Sequence, residues 1–76
     1  MGNEQHTVIN TDNLNIRTGP GTNYEKVGSY QRGDVIKSIY KTVKSGGRTW
    51  AVYRGGNTGV DRYVCYVDTD GTHYLS

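Results

Sequence analysis

The side chains able to do covalent or metal chemistry in this 76-residue chain are few and far apart. There is one Cys, Cys65, and there are two His, His6 near the start and His73 near the end. Cys65 lies inside Arg62-Tyr63-Val64-Cys65-Tyr66-Val67, a strand-forming run in which it reads as a small buried thiol. No spacing sets it beside an imidazole, as an activated thiolate nucleophile requires. A single Cys excludes an internal disulfide framework and any multi-cysteine zinc site. Asp68-Thr69-Asp70-Gly71 opens like a calcium loop, but no Asp or Glu follows Asp70, so the late acidic ligand is missing and a plain turn is expected. Neither a Gly-Lys-Ser/Thr phosphate loop nor a dinucleotide fingerprint is present. The expectation from these residues is that the chain is not an enzyme and carries no cofactor and no metal.

Binding chemistry is better represented. Seven Tyr and one Trp stand against only 14 Val, Ile and Leu. So many rings exceed what such a small aliphatic core can pack, which predicts that some face water. Exposed Tyr and Trp offer apolar area with one polar handle, suited to sugar faces and peptide backbone. Charge is uneven: residues 26–62 carry eight Lys or Arg against two Asp, while the whole chain nets only +2. This basic middle is either an attraction for an anionic polymer or a set of solvated strand faces.

The elements that must position these groups are short. Gly19-Pro20-Gly21, Gly33-Asp34, Ser45-Gly46-Gly47, Gly55-Gly56-Asn57 and Asp70-Gly71 punctuate the chain at intervals too small for helices. Strands are expected at Thr7-Val8-Ile9, at 14–17, 35–43, 49–54 and 62–67, and at 72–75. Along 14–17, alternation puts Leu14 and Ile16 on one face, Asn15 and Arg17 on the other. The apolar phase slips between Ile36 and Ile39, which calls for a bulge or a strand shared between two sheet surfaces. Ser45-Gly46-Gly47-Arg48 reads as a hairpin turn. Pro20 fixes φ in the first reversal, and a flanking Gly is free to take positive φ. Residues 1–6 read as a linker or frayed arm and 7–76 as one domain, an antiparallel all-β barrel or sandwich of five to seven short strands. Closure is expected to hide its edges. No apolar run approaches the roughly 20 residues of a membrane span, and the start lacks the pattern of a secretion signal.

The block Leu14-Asn15-Ile16-Arg17-Thr18-Gly19-Pro20-Gly21-Thr22-Asn23-Tyr24, with Val27-Gly28, Gly33-Asp34-Val35-Ile36, Trp50-Ala51-Val52-Tyr53 and Tyr74-Leu75, closely resembles the bacterial SH3 (SH3b) family. The resemblance covers roughly residues 8–75. Longer connections at 55–62 and between Val64 and Gly71 depart from the family pattern and suggest an extra hairpin in the final third.

The resemblance implies a small SH3-like antiparallel β-barrel. It also implies a non-catalytic module that binds cell-wall peptidoglycan or an associated glycopolymer and targets a peptidoglycan hydrolase, such as a phage endolysin or bacterial autolysin, to Gram-positive cells. The implied partners are the wall and a catalytic domain in the same or an associated chain, with self-association into a homo-oligomer open. The implied location is the bacterial cell wall. The candidate ligand residues are Arg17, Asn23, Tyr24, Trp50, Arg54 and Tyr66. The family pattern turns Thr49, Ala51 and Tyr53 inward and leaves Trp50 and Arg54 near a surface groove, although Trp50 could instead close the barrel. Tyr24 either binds or packs, and Arg17 either braces the turn or touches ligand. Tyr63 and Tyr66 fall on opposite strand faces, so one of them should be exposed. The alternative is an intracellular SH3-like adaptor for a protein or nucleic acid, and nucleic acid is the less expected partner.

Overall fold

The computed structural model describes residues 4–55 and 59–76, which form six strands in one antiparallel sheet. They are β1 (Glu4–Thr7), β2 (Leu14–Arg17), β3 (Lys26–Tyr30), β4 (Val35–Ser45), β5 (Arg48–Gly55) and β6 (Val60–Val67). The sheet order is β1-β4-β5-β6-β2-β3, and no helix occurs among the described residues. The all-β, antiparallel expectation holds, but the ladder runs from β1 to β3 without closing.

The arm expected over residues 1–6 is corrected at its inner end. Glu4–Thr7 is a strand on β4, with His6 opposite Ile36 and Thr7 opposite Val35. The other side of this segment meets the C-terminal residues. Ile9 N donates to Tyr74 O at 2.8 Å, Ser76 N donates to Thr7 O at 3.0 Å, and Val8 bridges Leu75. The terminal segment expected as a last strand is thus held by isolated bridges, at Leu75 and at His73 opposite Val67. It nevertheless covers the β1 edge.

Local chemistry explains the two irregular features of β4. Its turn into β5 places Gly46 at φ 62° and Gly47 at φ 78°, the type I′ geometry that matches strand twist. The slipped apolar phase is resolved by an extra residue: Ile36 and Ile39 oppose His6 and Glu4, so three steps on β4 match two on β1. Ser38 sits in this bulge at φ 67°, a left-handed conformation that costs an L-residue roughly 1–2 kcal/mol. Both Ile36 and Ile39 are thereby buried. Ser38→Gly relieves the backbone and should raise the melting temperature by about 4 °C, after allowance for the entropy of glycine. Ser38→Val should lower it, and a thermal melt of the two variants checks the sign.

The core joins β2, β4, β5 and β6 through Leu14, Ile36, Ile39, Trp50 and Val64, and Leu75 seals it from the C-terminal segment. Four consecutive residues of β5, Trp50 to Tyr53, are buried. Both faces of this strand are therefore covered, and the inward–outward alternation expected for it does not translate into exposure. Tyr30 and Tyr53 tie β3 to β5 by a hydroxyl–hydroxyl hydrogen bond of 3.0 Å. Burial, and then that bond, push the Tyr53 phenol well above its ordinary range.

Candidate ligand-binding groove

A groove of about 200 Å³ opens between β2 and the start of β5. Its near wall is Asn13, Asn15 and Arg17, which alternate with the core-facing Leu14 and Ile16, and Thr22 of the following reversal stands at the rim. The floor is Trp50 and Cys65, opposite each other on β5 and β6. The far wall is Arg48, Asp68 and Tyr74.

The far wall is a hydrogen-bonded unit. Arg48 Nε donates to Asp68 Oδ1 at 3.0 Å, the Thr69 amide donates to the same oxygen at 2.7 Å, and the Tyr74 hydroxyl donates to Oδ2 at 2.6 Å. The Tyr74 bond, followed by the Thr69 amide, holds the Asp68 carboxyl below its ordinary pKa. The same bond to the carboxylate lifts the Tyr74 phenol to about 12. Cys65, buried at the floor, has its thiol pushed up to about 11, first by burial and then by Asp68. A thiol so far from ionisation is a wall, not a nucleophile. Asp68-Thr69-Asp70-Gly71 is a turn closed by Gly71 N donating to Asp68 O at 3.0 Å.

On the near wall, Asn13 Nδ2 donates to Asn15 Oδ1 at 3.0 Å, which aligns two amides along the rim. Arg17 Nη1 donates to the Tyr24 carbonyl at 3.0 Å, bracing the reversal while its guanidinium still lines the groove. The glycines of that reversal, Gly19 and Gly21, do not use the positive φ open to them. A Cβ on Gly19 would lie 2.4 Å from the Tyr24 ring, so glycine is required because the ring lies over the backbone.

Of the six candidate ligand residues, the structure brings only Arg17 and Trp50 to the groove. Trp50 is a core residue, 2% exposed, that also lines the groove, so its two expected places, beside a groove and in the barrel core, coincide. Tyr24, at 44% exposure the open ring of the set, and exposed Asn23 sit on the reversal outside the lining. Arg54 lies elsewhere on β5, paired with Asp61 at 3.2 Å and stacked 5.4 Å from the Tyr40 centroid. Tyr66 is set edge-on between His6 and His73, at 5.4 Å and 6.0 Å. Tyr63 and Tyr66 are both half-buried, so opposite strand faces do not separate them. Sequence reasoning missed Asn13, Arg48, Asp68 and Tyr74. The Asn15/Arg17 face of β2 was a usable signal, because Asn13 extends the same alternation.

No protein-family profile matches the chain, and no curated protein matches it. Solved structures do. The cell wall binding domain of the staphylococcal phage 2638A endolysin superposes with a TM-score of 0.82 at 22% identity, covering 97% of this chain and 85% of that one. The cell wall targeting domain of the peptidoglycan hydrolase ALE-1 gives 0.72 at 21% identity, over 96% and 79%. The chain has a bacterial SH3 (SH3b) fold. Lysostaphin from Staphylococcus simulans, an antimicrobial peptidase, contains this SH3b fold within a longer protein, with a TM-score of 0.73 at 21% identity over 97% of this chain and 32% of that one. The SH3b match covers 97% of the 76 residues, a length too small to hold a catalytic domain as well.

Proposed function

We propose that this SH3b domain is a peptidoglycan-targeting module that holds a wall hydrolase, of the phage endolysin or bacterial autolysin kind, on Gram-positive cells. The observation that carries the reading is the superposition on a phage endolysin's cell wall binding domain over nearly the whole of both chains. The groove supplies the place. Its near wall of two amides and a guanidinium meets a buried ring floor and a far wall of Arg48, Asp68 and Tyr74. Such a lining offers donors and acceptors to peptide backbone or sugar hydroxyls beside an apolar surface. The partner catalytic domain belongs to the same or an associated chain, as the 32% share of lysostaphin suggests. Assembly of several copies would raise avidity without new contacts. The wall is the expected site of action.

Purified sacculi of Gram-positive bacteria should deplete the protein from solution. The Asn15→Ala/Thr22→Ala variant, altered only at the groove rim, should bind roughly tenfold more weakly through loss of two hydrogen-bonding side chains. Retention of the variant equal to that of the wild type would remove the groove from the reading, and failure of the wild type on a broad panel of sacculi would remove the wall.

A further inference from the structure

The charged groups that line the groove differ in their partners. They are Arg17 on the near wall, and Arg48 and Asp68 on the far wall. Arg48 and Asp68 neutralise each other at 3.0 Å. Asp68 also accepts from the Thr69 amide and the Tyr74 hydroxyl, so the carboxylate of the lining is spent on the protein's own donors. Arg17 forms no ion pair among the described residues. Its cross-strand partner on β3 is Lys26, and like charges set directly opposite are unfavourable. The groove therefore carries an uncompensated cation, half-buried on β2.

Hydrogen bonds around that cation hold it in place. Arg17 Nη1 donates to the Tyr24 carbonyl, which braces the guanidinium and leaves the rest of its fork to the groove. Asn15, two residues earlier on the same strand face, accepts from Asn13 through Oδ1, so its Nδ2 is left to donate. Thr22 adds a hydroxyl at the rim. The near wall is thus a row of donors with a positive end. Alternate residues of a strand lie about 6.6 Å apart, an interval that an extended peptide laid along β2 shares. Beneath them, Trp50 and Cys65 form an apolar floor. At about 200 Å³ the groove is smaller than the roughly 300–1,000 Å³ of pockets that enclose a drug-sized ligand. It has room for the end of a chain with small side chains.

We infer that the groove takes the free C-terminal carboxylate of a short peptide, and that Arg17 is the residue that selects it. The inference rests on the groove being the binding site proposed above and names the ligand end it takes. A planar carboxylate meets a guanidinium fork through parallel N–H···O bonds, and its charge offsets the opposition of Arg17 and Lys26. The preceding peptide carbonyl then faces the Asn15 amide, and a methyl-sized side chain faces the Trp50 floor. An internal peptide segment or a neutral sugar brings no charge to Arg17 and leaves it uncompensated. Sugar hydroxyls also need acceptors as well as donors, and Asp68 is already saturated.

Trp50 is the chain's single tryptophan and lines the groove, so its emission reports occupancy. Acetyl-alanyl-alanine, titrated as the L,L and the D,D form, should change that emission saturably in at least one form. The matching C-terminal amide should bind roughly tenfold more weakly. Arg17→Gln should bring acid and amide to equal affinity. Arg17→Lys, which keeps the charge but not the fork, should retain part of the preference. Equal affinity of the wild type for acid and amide overturns the inference, and needs no variant to fold. An acid preference that survives in Arg17→Gln overturns it too, as does a saturable response to neither probe. Displacement of the acid by a lower concentration of inorganic phosphate overturns the choice of a carboxylate. Sacculi separate this inference from the wall reading. A wild type that binds sacculi without preferring the acid keeps the wall role and loses the carboxylate. One that prefers the acid and leaves sacculi unbound keeps the carboxylate and loses the wall.

Discussion

Trp50→Ala should remove a large share of the protein's folding stability. The side chain is 2% exposed, packs with Ala51, Val64 and Leu75 in one cluster, and donates from Nε1 toward the Ser45 carbonyl at 3.4 Å, at the foot of the β4–β5 hairpin. Removing a buried tryptophan costs about 3–5 kcal/mol through lost transfer free energy and the cavity left behind. A chain of this size has roughly 4–11 kcal/mol in total. The melting temperature should fall by 15 °C or more, or the transition should disappear from a circular dichroism melt. Loss of the proposed wall binding by a variant without a melting transition would therefore report unfolding, not lost contact with ligand. If Trp50→Ala melts within a few degrees of the wild type, the ring is not the floor of the fold.

Breaking the Arg48–Asp68–Tyr74 unit should have the next largest effect, with a pH signature. Asp68→Ala removes the acceptor of three donors on side chains and backbone that are only partly exposed, leaving Arg48 and the Tyr74 hydroxyl without it. Loss of charge-assisted hydrogen bonds of this kind should destabilise by about 2–3 kcal/mol. The carboxyl's pKa is depressed in the folded state, so its contribution is present above the ordinary carboxylate pKa of 3.8 and is lost as pH falls below it. The Tyr74 phenol is raised to about 12, so its contribution is full below its ordinary value of 10.0 and is lost as pH rises toward 12. Tyr74→Phe should flatten stability at both extremes, because one hydrogen bond underlies both shifts. Melts across the acid and alkaline ranges check this. An alkaline limb unchanged in Tyr74→Phe would show that the bond does not form.

Much of the local architecture is written in short stretches of residues. Ser45-Gly46-Gly47-Arg48 can hardly be other than a two-residue hairpin, since two adjacent glycines meet the demand for positive φ. The phase slip between Ile36 and Ile39 called for a bulge or a strand shared between two sheet surfaces, and the register against β1 decides for the bulge. The β2 span 14–17 and the Asn15/Arg17 face were equally legible. Residues 4–6 were not, because Glu4-Gln5-His6 has no apolar alternation to betray a strand held mainly by its β4 neighbour and the C-terminal segment.

The candidate site divides in the same way. Arg17 could be placed from its own strand, whereas Trp50, Tyr24, Arg54 and Tyr66 were chosen as rings and charges in an expected groove, and the structure distributes them among the core, the reversal, the end of β5 beside Tyr40 and a histidine pair. What residue order determined by itself was the all-β class, the positions of the turns and the phase slip in β4, each a property of a few adjacent residues. Only the tertiary structure decided which faces meet water and that Asn13 and Asn15 stand across a groove from Asp68 and Tyr74. Those outcomes depend on register between strands distant in sequence and on burial of both faces of β5, neither of which leaves a periodic trace along the chain.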